Sequence, residues 1–252
     1  MREGLMAAHK PTDLPYGGFC AWPLPPDRSC ASIARSELGT LMLAMGFPET
    51  SIDNARLAVS ELATNAFRHA HNPEPRRPSV AAELAVWARS TPRPQLVVSV
   101  FDLNRRALPR PGGQDLLAAC GRGMEIVEAV TAGWGAHPSR SRLAPRPRRG
   151  KAVWMVFPLP ASWPTPGEPI FPTVAAQRLA VNLAARGVPA RRLSTGTGPS
   201  LVTAASVQVM VCPDAFLWSA AGTDHRHPLI DLQETTERVV ETLERIGCPA
   251  SD

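Results

Sequence analysis

The stretch "AVSELATNAFRHA", Ala58 to Ala70, reads as a helix with one edge that a core does not need. Leu57, Leu62 and Ala66 continue an apolar stripe begun by Ile52, Ala55 and Val59, while Glu61, Asn65 and His69 fall four apart in a polar line beside it. Residues four apart lie one turn above each other on a helix, so the carboxylate and the amide project together at the border of the stripe. Such a pair can share one water-ringed hard cation, or one group can hold the cation while the other takes a proton. Mg²⁺ with phosphate suits that chemistry. A merely solvated edge is the alternative for an isolated E-x-x-x-N spacing.

Outward from this helix, Thr50 or Ser51 caps its start, and "HNPEPRRP" forbids its continuation past Ala70. Upstream, "FCAWPLP" alternates like a short strand after a Gly- and Pro-containing tail over residues 1–20, and Asp27 offers an N-cap for a helix from about Arg28 to Met45. Downstream, "VAAELAVWA" and "QLVVSVFD" read as strands joined by a turn containing Pro92 and Pro94. No period persists from Leu103 to Gly123, a loop long enough to suggest a functional role. A helix follows in "GRGMEIVEAV", with Met124, Ile126, Val127 and Val130 facing inward, and "KAVWMVFPL" closes the unit as a buried strand. The order β-α-α-β-β-loop-α-β-β predicts a two-layer α/β sandwich over residues 21–159, with helices on one face of a mixed sheet.

The five prolines of "PASWPTPGEPIFP", residues 160–172, read as a stiff linker. Beyond it the pattern changes. A helix from Thr173 to Arg186 stops at Gly187, "SLVTAASVQVMVC" and "AFLWSAAG" look like paired strands, and "DLQETTERVVETLERI" is an amphipathic helix ending at Gly247. A small α+β unit of this size, residues 173–249, is marginal alone and is expected to lean on the first unit or on a partner.

Composition sets the outer bounds. In 252 residues, no apolar run approaches the roughly 18 that a membrane span requires, and no secretory signal opens the chain. A cytoplasmic protein is expected. The five cysteines are odd in number and scattered, which points to reduced packing residues rather than disulfides or a zinc site. Basic residues are 25 Arg against two Lys, Lys10 and Lys151. Five of the arginines lie in "SRSRLAPRPRR", Ser139 to Arg149, and these account for the whole formal charge of +5. That segment reads as a solvated hairpin tip, with contact to nucleic acid or an acidic partner as the alternative.

Two further features join the polar edge. Gly121 and Gly123 precede a helix whose unpaired N–H groups and positive dipole end suit an anion. Asp102 ends the apolar strand "LVVSVFD", where a carboxylate can accept from an exocyclic amine or simply form a turn. In this order the three pieces resemble the nucleotide-binding fold of the GHKL ATPases, the Bergerat-type fold. The specific likeness is to the anti-sigma-factor serine/threonine kinases, with "AVSELATNAFRHA" as the N box, "VVSVFD" and "GRGMEIVEAV" as the two glycine boxes, and "GKAVWMVF" as the closing strand.

The resemblance implies ATP and Mg²⁺ as cofactors. It implies Glu61 as general base, Asn65 as Mg²⁺ ligand, Asp102 as acceptor of the adenine amine, and Gly121, Arg122, Gly123 and Met124 as the phosphate cradle. The loop Leu103 to Cys120 would cover ATP, and His69 stands where the group often has a histidine. In this chain "LNRRALPRP" follows Asp102 where the family continues with glycines, and Ala152 stands where it often has threonine. The implied partner is a sigma factor or a small anti-anti-sigma-like protein, with a homodimer as the implied assembly. A non-catalytic module, in which the C-terminal unit supplies partner specificity, is the competing reading. DNA binding through the arginine segment is disfavoured, because no helix-turn-helix or aromatic-interleaved basic surface accompanies it.

Overall fold

The computed structural model describes residues 11–69, 82–105, 108–109, 123–164, 170–194 and 198–247. The N-terminal half runs β1 (Phe19–Leu24), α1 (Cys30–Ala44), α2 (Glu49–His69), β2 (Ala82–Arg89), β3 (Gln95–Asp102), α3 (Gly123–Val130), β4 (Trp134–Arg140) and β5 (Arg149–Pro158). Its sheet has the order β1-β2-β3-β5-β4, and α1, α2 and α3 cover one face. The α/β sandwich is therefore the expected one. The sheet, however, is antiparallel at every pairing rather than mixed. The helical hairpin α1–α2 starts and ends at one end of the sheet, so β2 runs back along β1. The β4–β5 hairpin then inserts β5 between β3 and β4, so two strands that run the same way never touch.

On α2, Ile52, Ala55, Ala58, Val59, Leu62, Ala63 and Ala66 are buried against the sheet, whereas Leu57, expected in the stripe, is 45% exposed. Its position points away from the sheet, and α1 covers the other flank. Residues 11–20, expected as tail, instead pack. Pro11–Tyr16 forms a 3₁₀ turn that buries Leu14 in the first core, and Gly17 (φ +74) lies where a Cβ would come within 2.7 Å of the Ile230 carbonyl.

The C-terminal half comprises α4 (Pro172–Ala185), β6 (Ala190–Ser194), β7 (Ser200–Ala204), β8 (Val207–Val211), β9 (Ala215–Ala220), β10 (Thr223–Pro228) and α5 (Leu232–Ile246). Five strands form an antiparallel meander, three more than the two blocks legible as strands implied, with a core of Leu179, Leu183, Val202, Val209, Phe216 and Val239. Helix α5 touches both sheets. Its apolar side, Leu232, Val239 and Val240, faces the second core, while Glu234, Glu237 and Glu244 are buried against the bare face of the first sheet. That second cover explains why all eight residues of β3 are buried.

Burying carboxylates is costly unless each meets a cation. Glu234 accepts from Trp87 Nε1 at 3.0 Å and pairs with Arg89 at 3.2 Å. Glu237 pairs with Arg142 at 2.6 Å and with Arg186, the C-cap of α4, at 2.8 Å, and Ser139 donates to it as well. Glu83 of β2 accepts the backbone N–H groups of Arg142 and Leu143. The arginine-rich hairpin is thus solvated only in part: Arg146 and Arg149 are exposed, but the side chain of Arg142 is only 7% exposed. Its acidic partner is α5 of the same chain, and the Arg142 guanidinium stacks over Phe19 and Trp87. Burial and the neighbouring Arg186 pull Arg142 down to about 10.

Burial alone would raise the Glu237 carboxyl, but Arg186 and Arg142 outweigh it and hold the group well below the usual carboxylate range. Its stabilisation is therefore complete above the unfolded value of 4.5 and is lost as pH falls through the lower folded value. Replacing Glu237 by Gln strands two buried guanidinium groups and is expected to cost about 3 kcal/mol in denaturant unfolding. The parent should also lose stability more steeply than this variant on acidification below pH 4.5. Equal unfolding midpoints for the two proteins would contradict the assignment.

Candidate functional site

Helices α2 and α3 meet at the end of the sheet where β3 finishes. The first residue of α3, Gly123, is buried so close to α2 that a Cβ there would stand 2.5 Å from Glu61 Oε2. One turn along α2, Asn65 Nδ2 donates to Met124 Sδ at 3.9 Å. Four of the expected residues, Glu61, Asn65, Gly123 and Met124, therefore come together, although they are some sixty positions apart in the chain. A carboxylate and an amide face the start of a helix, whose first turn has N–H groups without intrahelical partners. Gly121, Arg122, the side chain of His69 and most of the expected loop to Cys120 lie outside the described residues.

Asp102 is buried at the end of β3, but in unexpected company. Its Oδ1 accepts from Lys151 Nζ at 2.9 Å and from the Asn104 N–H at 2.8 Å, and Nζ also donates to the Asn104 carbonyl at 2.9 Å. Both side chains of the ion pair are 4% exposed. Asp102 and Lys151 are directly opposed in the β3–β5 register, the arrangement in which opposite charges on neighbouring strands attract. Gly150 permits the approach, since a Cβ there would stand 2.1 Å from the Asp102 carbonyl. Sequence reasoning missed Lys151. Its signal was rarity: this lysine is one of two in a chain with 25 arginines.

For a nucleotide, the fit differs between its ends. At the α2–α3 junction, the N–H groups of the helix start suit an anion, and the absence of a side chain on Gly123 leaves room for Glu61 beside them. Among the described residues no cluster of three His, Cys, Asp or Glu side chains could cage a metal, so a Mg²⁺ there would rely on phosphate oxygens, water and Asn65. At the other end, an amine reaching Asp102 must share the carboxylate with the Lys151 ammonium.

A cavity of about 310 Å³ lies elsewhere, lined by Leu14, Pro94, Trp163, Ile170 and the polar Arg89 and Asp231. It sits at the Arg89–Gln95 end of the strands, about 23 Å from Asp102 by the rise of β3. Its polar groups are committed: Asp231 accepts from Ser90 and Thr91, and Arg89 binds Gln95 and Glu234. It offers no catalytic group to a phosphate.

Residues 24–156 match the family described as histidine kinase-like ATPase domain. No curated protein matches the chain. Among solved structures, one similar chain belongs to the SiaB-SiaC complex from Pseudomonas aeruginosa, at 16% identity and a TM-score of 0.38, covering 54% of this chain and 89% of that one. No helix among the described residues is long and apolar enough to cross a membrane.

Because Glu61 Oε2 is the mobile end of its side chain, Gly123→Ala should displace the carboxylate rather than disrupt the backbone. The expected result is a thermal midpoint within a few degrees of the parent, with whatever ATP turnover the parent shows reduced ~10-fold or more, the scale on which misplaced catalytic groups act. Unchanged transfer would separate Gly123 from the Glu61 site.

Proposed function

The chain belongs to the histidine kinase-like ATPase family, and from that premise we propose that it is a regulatory protein serine/threonine kinase of the anti-sigma-factor type. In this reading ATP binds at the α2–α3 junction. The observation that carries it is the placement of Glu61 against Gly123, which sets a carboxylate beside the helix start that would receive the γ-phosphate. Glu61 draws the proton from a serine hydroxyl of a small anti-anti-sigma-like partner as that oxygen bonds to the γ-phosphorus of ATP, the bond to the β,γ-bridging oxygen breaks and ADP leaves. Asn65 helps to hold Mg²⁺, which when bound offsets charge on the transferring phosphoryl group. Gly123 and Met124 form the described part of the phosphate cradle, Gly121 and Arg122 complete it, and Asp102 receives the adenine amine.

A second reading, nucleotide binding without turnover, is favoured by one observation: the buried Lys151 ammonium already engages the base-reading carboxylate. In that case the C-terminal half supplies partner specificity and the nucleotide only shapes the surface.

γ-Phosphate-labelled ATP with Mg²⁺ and an anti-anti-sigma-like protein separates the two readings. The kinase reading predicts labelled serine in the partner, and Glu61→Ala should lower transfer ~10²-fold or more while leaving ATP affinity nearly intact. ATP binding without any labelled product supports the second reading. Equal transfer by parent and variant removes Glu61 from the role of base.

A further inference from the structure

The turn that follows β3 is held from two directions. From within the first sheet, Lys151 binds both Asp102 and the Asn104 carbonyl. From the C-terminal half comes Glu244, near the end of α5, with a side chain that is fully buried. Arg105 Nη2 lies 3.1 Å from Glu244 Oε2, an electrostatic contact without an aligned hydrogen bond, and 3.5 Å from the Glu244 backbone carbonyl. The other carboxylate oxygen binds Arg140 at 2.7 Å and Arg149 at 3.3 Å. Three arginines, from the post-β3 turn, β4 and β5, thus converge on one carboxylate supplied by a helix outside the ATPase match.

We infer that Glu244 is a positioning residue through which the C-terminal helix sets the base-reading end of the nucleotide site. The inference rests on the nucleotide reading above. Arg105 follows Asn104 directly, and Asn104 is bonded to both Asp102 and Lys151, so releasing Arg105 loosens the frame that aims the Asp102 carboxylate. Without Glu244, Arg105, Arg140 and Arg149 also repel one another, which pushes the turn outward. The α2–α3 junction, where the phosphates lie, has no part in this cluster. Glu244 should therefore act on recognition of the base and not on the triphosphate.

The test is calorimetric titration of the full chain with Mg–ATP and Mg–GTP, comparing parent, Glu244→Gln, Arg105→Ala and Glu237→Gln. Glu237 is an equally buried interface carboxylate, but its arginines are Arg142 and Arg186, away from the turn. Glu244→Gln and Arg105→Ala should each weaken ATP ~10-fold, within the usual range of site-to-site coupling, and leave the weaker GTP binding unchanged. Their double variant should lose no more than Glu244→Gln alone, because the Arg105 contact is already gone in that variant. Glu237→Gln should lower stability and keep the ATP:GTP ratio of the parent. If Glu244→Gln does not fold, Arg105→Ala, at a partly exposed side chain, carries the comparison. An unchanged ATP:GTP ratio in both Glu244→Gln and Arg105→Ala, or the same change in Glu237→Gln, overturns the inference while the nucleotide site stands. A parent that binds neither nucleotide overturns both.

Discussion

Three carboxylates on one helix, buried against arginines of the N-terminal half and against Arg186 at the end of α4, are the constraint on which the rest of this structure depends. Glu234, Glu237 and Glu244 could not leave water without Arg89, Arg142, Arg186, Arg140 and Arg149, and those arginines could not lie under α5 without them. The interface is consequently specific in register. Sliding α5 by one turn would place Glu237 where Glu234 meets Trp87 and leave at least one charge unpaired, a penalty of several kcal/mol in a low-dielectric contact. Apolar packing alone would not choose so sharply. The same contact covers the second face of the first sheet, so a two-layer ATPase unit becomes part of a four-layer molecule with the order helices, sheet, helices, sheet.

The sequence made some of this legible and hid the rest for physical reasons. Strand β3 was readable to its ends because "QLVVSVFD" is rich in valine and other apolar residues and is bounded by Pro94 and the irregular segment after Asp102. Helix α2 was readable from its stripe, although Leu57 shows that an apolar residue at helical spacing can still face solvent. Strands β6 and β10, "ARRLS" and "TDHRHP", are polar edge strands whose residues carry no strand signature, and only their neighbours β7 and β9 order them. The arginine-rich hairpin was legible as a charge block but not as an interface, because its partner lies about a hundred residues away and amphipathic spacing alone presents the acidic edge of α5 as solvated. The third unread strand arose because the turn at Ala205, with φ 49, divides "SLVTAASVQVMVC" into β7 and β8. Local pattern reports burial on one side and says nothing of a second layer.

The candidate site divides along the same line. Glu61 and Asn65 were visible because a single helix fixes their relation, and the glycine at 123 because it stands at a helix start, whereas its crowding against Glu61 was not visible. The Asp102–Lys151 pair depends on the register of β3 against β5, which is set by the whole β4–β5 hairpin and cannot be counted off along the chain. It is also the point at which this protein departs most from the simple expectation for its family, since a cation stands beside the acidic group expected to recognise the base. The proposed phosphate end lies between two helices of the ATPase unit, whereas the proposed base end is tied through Arg105 to a helix that the family match does not include. Under the proposed site, that asymmetry would give the C-terminal half a physical route to the nucleotide through Arg105.

The central claim is that the nucleotide lies between the polar edge of α2 and the start of α3. Amide hydrogen exchange on the full chain, with and without Mg–ATP, tests it most directly, because the first-turn amides of α3 lack intrahelical partners and exchange quickly unless a ligand accepts from them. The account predicts slowed exchange at residues 123–126 and 102–105, with little change along β7 to β9. Protection confined to the cavity beside Leu14 and Pro94, or none at saturating nucleotide, would contradict it.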